Sequence, residues 1–183
     1  MNSKDVRPEM VILDDSNDNQ IGLAEKMQAH EQGLLHRAFS VFIIRSSVNG
    51  HEILMQQRNI NKYHCGGLWT NTCCSHPRDQ ENIIQAAQRR LQEEMGLQIS
   101  DLQEIGAFTY RSAFNNGLVE HEYDHVLLGK YNDAEIVVNI AEVQDFKWMA
   151  LNAIETALVV EPDIYTPWLG PALNIVRQHM EQR

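Results

Sequence analysis

The chain has 183 residues, 43% hydrophobic and 22% charged, the make-up of an ordinary globular protein able to bury a substantial core in one domain. A formal net charge of −10 argues against general binding to nucleic acid or anionic membrane, but leaves room for a small anion gripped by a local cluster of cations. Three cysteines, two of them adjacent, make poor disulfide material and point to a reducing cytoplasm. The polar stretch Met1 to Asp18 is not expected to act as a secretory signal, and Ala38 to Ile44 is far too short to span a bilayer.

No repeat or linker divides the chain, so a single domain over residues 1–183 is expected, and a monomer. Met10 to Asp14 reads as a short strand ahead of a turn-rich stretch, Asp15 to Gly22. Leu35 to Arg45 is apolar and β-compatible, and an Asn49-Gly50 turn leads it into a second strand, Glu52 to Arg58. Lys62 to Leu68 is a loop. Glu81 to Met95 is the clearest helix, with Ile83, Ala87 and Leu91 at four-residue spacing, Asp79 as its expected cap and Gly96 past its end. Glu104 to Tyr110 and Leu118 to Tyr131 read as strands around Asn115-Asn116-Gly117. Phe146 to Trp148 is a further strand, and Leu151 to Val159 and Leu169 to Met180 are helices. The segment before Met10 either frays or packs over the site. The whole predicts a mixed α/β (α+β) sandwich.

Several residues could carry chemistry, each with a plainer alternative. Arg90 and Glu94 lie one helical turn apart, as a catalytic edge or as a simple i, i+4 ion pair. Glu120 and Glu122 project from one strand face, where their repulsion invites a cation; Asp124 continues that face, which favours a solvated surface instead. His30, His36 and His76 would suit a divalent transition metal if the fold gathered them, although spacing does not show that it does. Cys74 is either a reactive thiol or a small buried hydrophobe, and the Cys65, Cys73, Cys74 and His76 set matches no usual zinc-site spacing. Lys26, Arg58, Lys62 and Arg90 are cations of the kind a diphosphate requires, though any one of them could simply face solvent.

The run Ser75-x5-Glu81-x7-Arg89-Arg90-Leu91-x-Glu93-Glu94-x-Gly96-Leu97 resembles the Nudix box, with two departures. Ser75 stands where the box has glycine, and Arg90 where it has a glutamate that helps hold magnesium in Nudix hydrolases, which argues against pyrophosphohydrolase activity. Adding Glu25-Lys26-x3-His30, Leu35-His36-Arg37-Ala38-Phe39-Ser40, Trp69 to Pro77, Tyr110-Arg111, Glu120-x-Glu122 and Thr166-Pro167-Trp168, the chain resembles the type I isopentenyl-diphosphate Δ-isomerases over nearly its whole length.

That resemblance implies a Nudix-type mixed-sheet α/β/α sandwich. Its core would span 34–168, an N-terminal extension (1–33) would contribute to the site, and a helix (169–183) would close the C-terminus. It implies interconversion of isopentenyl and dimethylallyl diphosphate in isoprenoid precursor biosynthesis, through protonation, a carbocation-like state and deprotonation. It also implies a site for Mn²⁺ or Zn²⁺ at His30, His36, His76, Glu120 and Glu122, with Glu94 binding the Mg²⁺ that accompanies the substrate. Lys26, Arg58, Lys62 and Arg90 would hold the diphosphate. Glu122 with Tyr110 would serve protonation, Cys74 the complementary transfer, and Trp168 would face the cation with its π system. No nucleic acid or membrane partner is implied.

Overall fold

A computed structural model describing residues 8–48 and 50–182 contains β1 (Met10–Asp14), β2 (Gln20–Glu25), α1 (Lys26–Gln32), β3 (His36–Ser47), β4 (Gly50–Arg58), β5 (Trp69–Thr70) and β6 (Cys73–Ser75). These are followed by α2 (Ile83–Met95), β7 (Gln103–Ala113), β8 (Val119–Lys130), β9 (Val143–Ala150), α3 (Leu151–Val160), a 3-10 turn (Pro162–Ile164) and α4 (Leu169–Glu181). The long strands are apolar on both sides, and their period of two divides the core between two layers. Phe39, Val41 and Ile43 of β3, Leu54 of β4 and Leu127 of β8 pack with Ala87, Leu91 and Met95 of α2. Their neighbours Phe42, Ile44, Ile53, Met55, Val126 and Leu128 pack with Ile154 of α3 and with Leu169, Leu173 and Val176 of α4. The result is the expected Nudix-type α/β/α sandwich.

The sheet has nine strands and is mixed. β3 runs parallel to β8, with His36 opposite Glu122 and Ile44 opposite Lys130, and antiparallel to β4 and β6. β8 is paired on its other edge with β7, antiparallel, and β4 with β9. No helix among the described residues is long and apolar enough to cross a membrane.

The sequence reading needs correction at two elements here. Gln20 to Gly22, expected as turn, belongs to β2, which pairs with β1 from Met10↔Glu25 to Asp14↔Gln20. Helix α2 starts at Ile83, and its cap is Asn82, whose Oδ1 accepts from the Ile84 N–H at 2.9 Å; Asp79 instead accepts a bond from Gln20. Asn49 lies outside the described residues, and Ser47 and Gly50 pair across the expected turn. Most of the segment before Met10 also lies outside them.

Gly96 ends α2 in the left-handed region, at φ +70°, with its N–H bonded to Gln92 O. A Cβ there would sit 2.6 Å from the Val137 carbonyl oxygen. Gly96→Ala is expected to cost more than about 1 kcal/mol, read as a lower denaturant midpoint at unchanged m value.

Candidate active site

The face of the sheet that α4 covers changes character along β3 and β8. Val126 and Leu128 lie under α4, whereas Glu120, Glu122 and Asp124, at the same alternation, lie beyond it and are buried. On β3, Phe42 and Ile44 give way in the same manner to Ser40, Ala38 and His36. An open cleft with about 480 Å³ of free space forms at this polar end. It is lined by Lys26, Arg58, Lys62, Cys74, His76, Arg90, Tyr110, Glu120, Glu122 and Trp168, among others.

Pairing across the sheet sets Glu122 between His36 of β3 and Tyr110 of β7. The Tyr110 hydroxyl donates to Glu122 Oε2 at 2.6 Å, and His76 Nε2 lies 2.9 Å from Oε1. The first turns of α1 bring His30 to the same place, with its Nε2 3.2 Å from Glu120 Oε2; His36 Nε2 is 3.8 Å from that oxygen and 3.6 Å from Glu122 Oε1.

The tautomers follow from the backbone. His30 Nδ1 is 2.5 Å from the Lys26 carbonyl and His36 Nδ1 is 2.8 Å from that of Leu34, so each Nδ1 carries the donated proton. Both Nε2 atoms therefore present lone pairs, and neither they nor Glu120 Oε2 has a hydrogen-bond partner although all are buried. Donor atoms of His30, His36, His76 and Glu120 all lie within 4.8 Å of one another. These unpartnered lone pairs, gathered with His76, form a donor set that fits a divalent transition-metal ion.

Most charge states agree with that fit; His36 is the exception, because Glu122 raises it against the lowering effect of burial. Burial drives His76 down to about 4, leaving the neutral imidazole that binds metal. Burial pushes Glu120 up, but the neighbouring His30 and His64 side chains outweigh it and hold the carboxyl well below its usual range. For Glu122, burial and the Glu120 charge push upward and are overcome by His36 and His76. Tyr110 is raised well above its ordinary value by burial and then by Glu122, so it stays a donor.

On the opposite wall, alternation along β6 turns Cys73 into the α2 layer and Cys74 into the cleft. Burial pushes the Cys74 thiol up to about 12, so it is protonated. It donates to Asn71 Oδ1 at 3.1 Å and accepts from the Trp168 indole N–H at 3.2 Å. Trp168 is placed by the chain entering α4, where the Thr166 N–H bonds Trp69 O and the Thr70 and Thr166 hydroxyls lie 2.8 Å apart.

The four expected cations all line the cleft. Arg58 stands 5.5 Å from the Trp168 ring centre. Lys26 pairs with Glu9, Lys62 with Glu142, and Arg90 with Glu93 and Glu94, with Glu142 3.6 Å from Arg90. The i, i+4 pair Arg90–Glu94 thus exists and also borders the site. Glu94 itself is buried behind Arg90, with Oε2 accepting from Gln56 at 3.1 Å.

Residues 34–169 match the NUDIX domain. The chain is 47% identical to an isopentenyl-diphosphate Δ-isomerase of Photobacterium profundum, over 92% of this chain and 94% of that one. It is 40% identical to one from Aliivibrio fischeri, over 95% and 98%. The chain belongs to the isopentenyl-diphosphate Δ-isomerase family of NUDIX-domain proteins. Its fold is shared by the crystal structure of DR0079 from Deinococcus radiodurans, with TM-score 0.72, 16% identity, and 91% and 98% of the two chains covered. A MutT NUDIX hydrolase from Burkholderia pseudomallei is also similar, at 0.61 and 20%, over 78% and 98%.

Two residues of this isomerase-family site were not found from sequence. His64, in the loop after β4, lies with Nε2 2.6 Å from Glu120 Oε1. Asp124 was read as extending a solvated face; it is buried, and its Oδ2 accepts from Ser40 at 2.8 Å. Burial, then the Glu122 charge, raise Asp124 well above the usual range. A group raised in this way contributes stability that is complete below its unfolded pKa, about 3.9, and lost as pH rises toward the folded value. In chelator-stripped protein, wild-type Tm should therefore fall relative to Asp124→Asn as pH rises above about 4. Parallel profiles would mean that Asp124 folds in its ordinary ionised state.

Proposed function

We propose that the protein interconverts isopentenyl and dimethylallyl diphosphate, moving a double bond by adding one proton and removing another. The observation that carries this reading is a protonated thiol and a carboxylate–phenol pair in one cleft, flanked by four cations. Arg58, Lys62, Lys26 and Arg90 would grip the diphosphate through charge-assisted hydrogen bonds. Arg90 puts a cation among Glu93, Glu94 and Glu142, where a hydrolase gathers acids around magnesium; this favours retention of the diphosphate over its cleavage. The three free cysteines suit a reducing cytoplasm.

In the forward direction Glu122, steered by the Tyr110 hydroxyl, gives a proton to C4 of the alkene, and the tertiary cation left at C3 loses a proton from C2 to the Cys74 thiolate. No atom or electron is gained or lost overall. In the reverse direction the thiol protonates C2 and the Glu122 carboxylate takes the proton from the methyl group. The protonated thiol and low-pKa carboxylate described above are the pair this reverse direction needs; the forward pair differs by one proton moved from Sγ to the carboxylate. Trp168 offers a π face to the cation, worth about 0.5–2 kcal/mol, and helps exclude the water that would trap it as an alcohol.

A divalent ion, Mn²⁺ or Zn²⁺, would be held by His30, His36, His76, Glu120 and Glu122, and when bound would supply the positive charge that keeps two buried carboxylates together and tunes the acidity of Glu122. Glu94 is proposed for the Mg²⁺ that accompanies the diphosphate.

In D₂O with Mg²⁺ and Mn²⁺, NMR should show isopentenyl diphosphate converted to dimethylallyl diphosphate with deuterium in the new methyl group. Released phosphate without isomer would return the chain to the hydrolases. Cys74→Ala should lower kcat by about 10³-fold or more with KM little changed; wild-type rates would remove the thiol from the reaction. Arg90→Glu should raise KM about 10- to 100-fold, and unchanged KM would exclude it from diphosphate binding.

A further inference from the structure

His64 is buried in a loop otherwise concerned with the diphosphate cations. Its Nδ1 has no hydrogen-bond partner, so its polar contact in the site is the 2.6 Å approach of Nε2 to Glu120 Oε1. The two oxygens of Glu120 are thereby divided. Oε1 is occupied by His64, while Oε2 is left facing the Nε2 lone pairs of His30 and His36.

The ring is held firmly in that pose. It lies nearly parallel to Phe114, at 7° and 5.3 Å, and stacks against His30 at 23° and 5.7 Å. Tyr63 and Trp168 meet it edge-on, at 4.5 and 6.2 Å. Phe114 comes from the turn between β7 and β8, and the Asn116 side chain donates to Tyr63 O at 2.7 Å, fastening the loop to the same turn. A mere spacer would need no nitrogen pointed at a carboxylate. The His64 Nε2 is spent on Oε1, whereas the oxygen that faces His30 and His36 is Oε2, so the ring backs the carboxylate from the side away from those two donors.

We infer that His64 is a positioning residue of the metal centre, pinning Oε1 of Glu120 so that Oε2 is presented to the ion held by His30, His36 and His76. A carboxylate with one oxygen engaged in this way binds through the other and cannot swing out of the ligand set. The inference rests on the metal site within the proposed function, not on the reaction itself.

The test is calorimetric titration of chelator-stripped full-length protein with Mn²⁺ and with Zn²⁺, comparing wild type, His64→Leu and His64→Gln. Leucine keeps the apolar packing and removes the donor; glutamine restores an N–H at similar reach. The leucine variant should bind about 10- to 100-fold more weakly, and the glutamine variant should return to within about threefold of wild type. Thermal melts of the stripped proteins serve as the control for folding. Leucine binding within about threefold of wild type, or glutamine binding as poorly as leucine, would overturn the inference. So would a wild type that binds neither ion. Tight binding by wild type without isomerisation would sink the proposed reaction and leave the role of His64 standing.

Discussion

The position of β8 between β3 and β7 governs the site. Its register places Glu122 beside His36 on one edge and Tyr110 on the other, and sets Glu120, Glu122 and Asp124 on a single face. A slip of one residue would turn all three acids to the α2 side and bring their odd-numbered neighbours into the cleft. Carboxylates so close together repel one another and would favour such a slip. What resists it is the other half of the strand, where Val126 and Leu128 are buried beneath α4 and Leu127 beneath α2. Gly129 adds a steric constraint, since a Cβ there would lie 2.7 Å from Leu102 and 3.1 Å from Ile43. An apolar half of the strand thus holds a charged half in place.

The described part of the N-terminal segment, residues 8–33, brings Lys26 and His30 to the cleft and must be fastened to it. Arg37 of β3 does this with a two-pronged grip on Asp14, at 2.9 and 2.7 Å, and a further bond to Asp18 O. The small cluster of Val11, Ala24 and Ala29 closes the hairpin against α1. Helix α1 then sets Lys26 in the cleft lining and His30, one turn on, against Glu120. One short helix therefore carries both residues proposed above for anion and metal binding.

Legibility in the sequence followed the range of the interactions. Helix α2 and the long strands could be read because period is local; Ile83, Ala87 and Leu91 declare their face without help, and Gly96 marks the helix end. That Glu120 and Glu122 share a face was equally plain. Whether that face is wet or buried depends on α4 and the Trp168 entry, far away in the chain, and so Asp124 was misread. β2 was hidden because its pairing with β1 outweighs the turn-forming residues ahead of it. The seven residues of α1 are too few for periodicity to register, and Glu25 provides no side-chain cap. The convergence of His30, His36 and His76 on two strand acids is a long-range fact that only the family resemblance could anticipate. His64 had no such aid: in the sequence it is a histidine in a glycine-bearing loop, and its meaning lies entirely in Glu120.

Three of the four cations of the cleft are already ion-paired. Lys26 rests on Glu9, Lys62 and Arg90 share Glu142, and Arg90 also holds Glu93 and Glu94. A diphosphate bound as proposed would therefore exchange partners with side chains whose rotamers are partly fixed, instead of catching long flexible arms from solvent. Affinity in such a cleft is a difference between two sets of ion pairs. That difference grows with the number and charge of the oxygens brought in, so the resting carboxylates act as a threshold: a singly charged anion displaces them at little gain, and a ligand carrying two linked phosphoryl groups clears it.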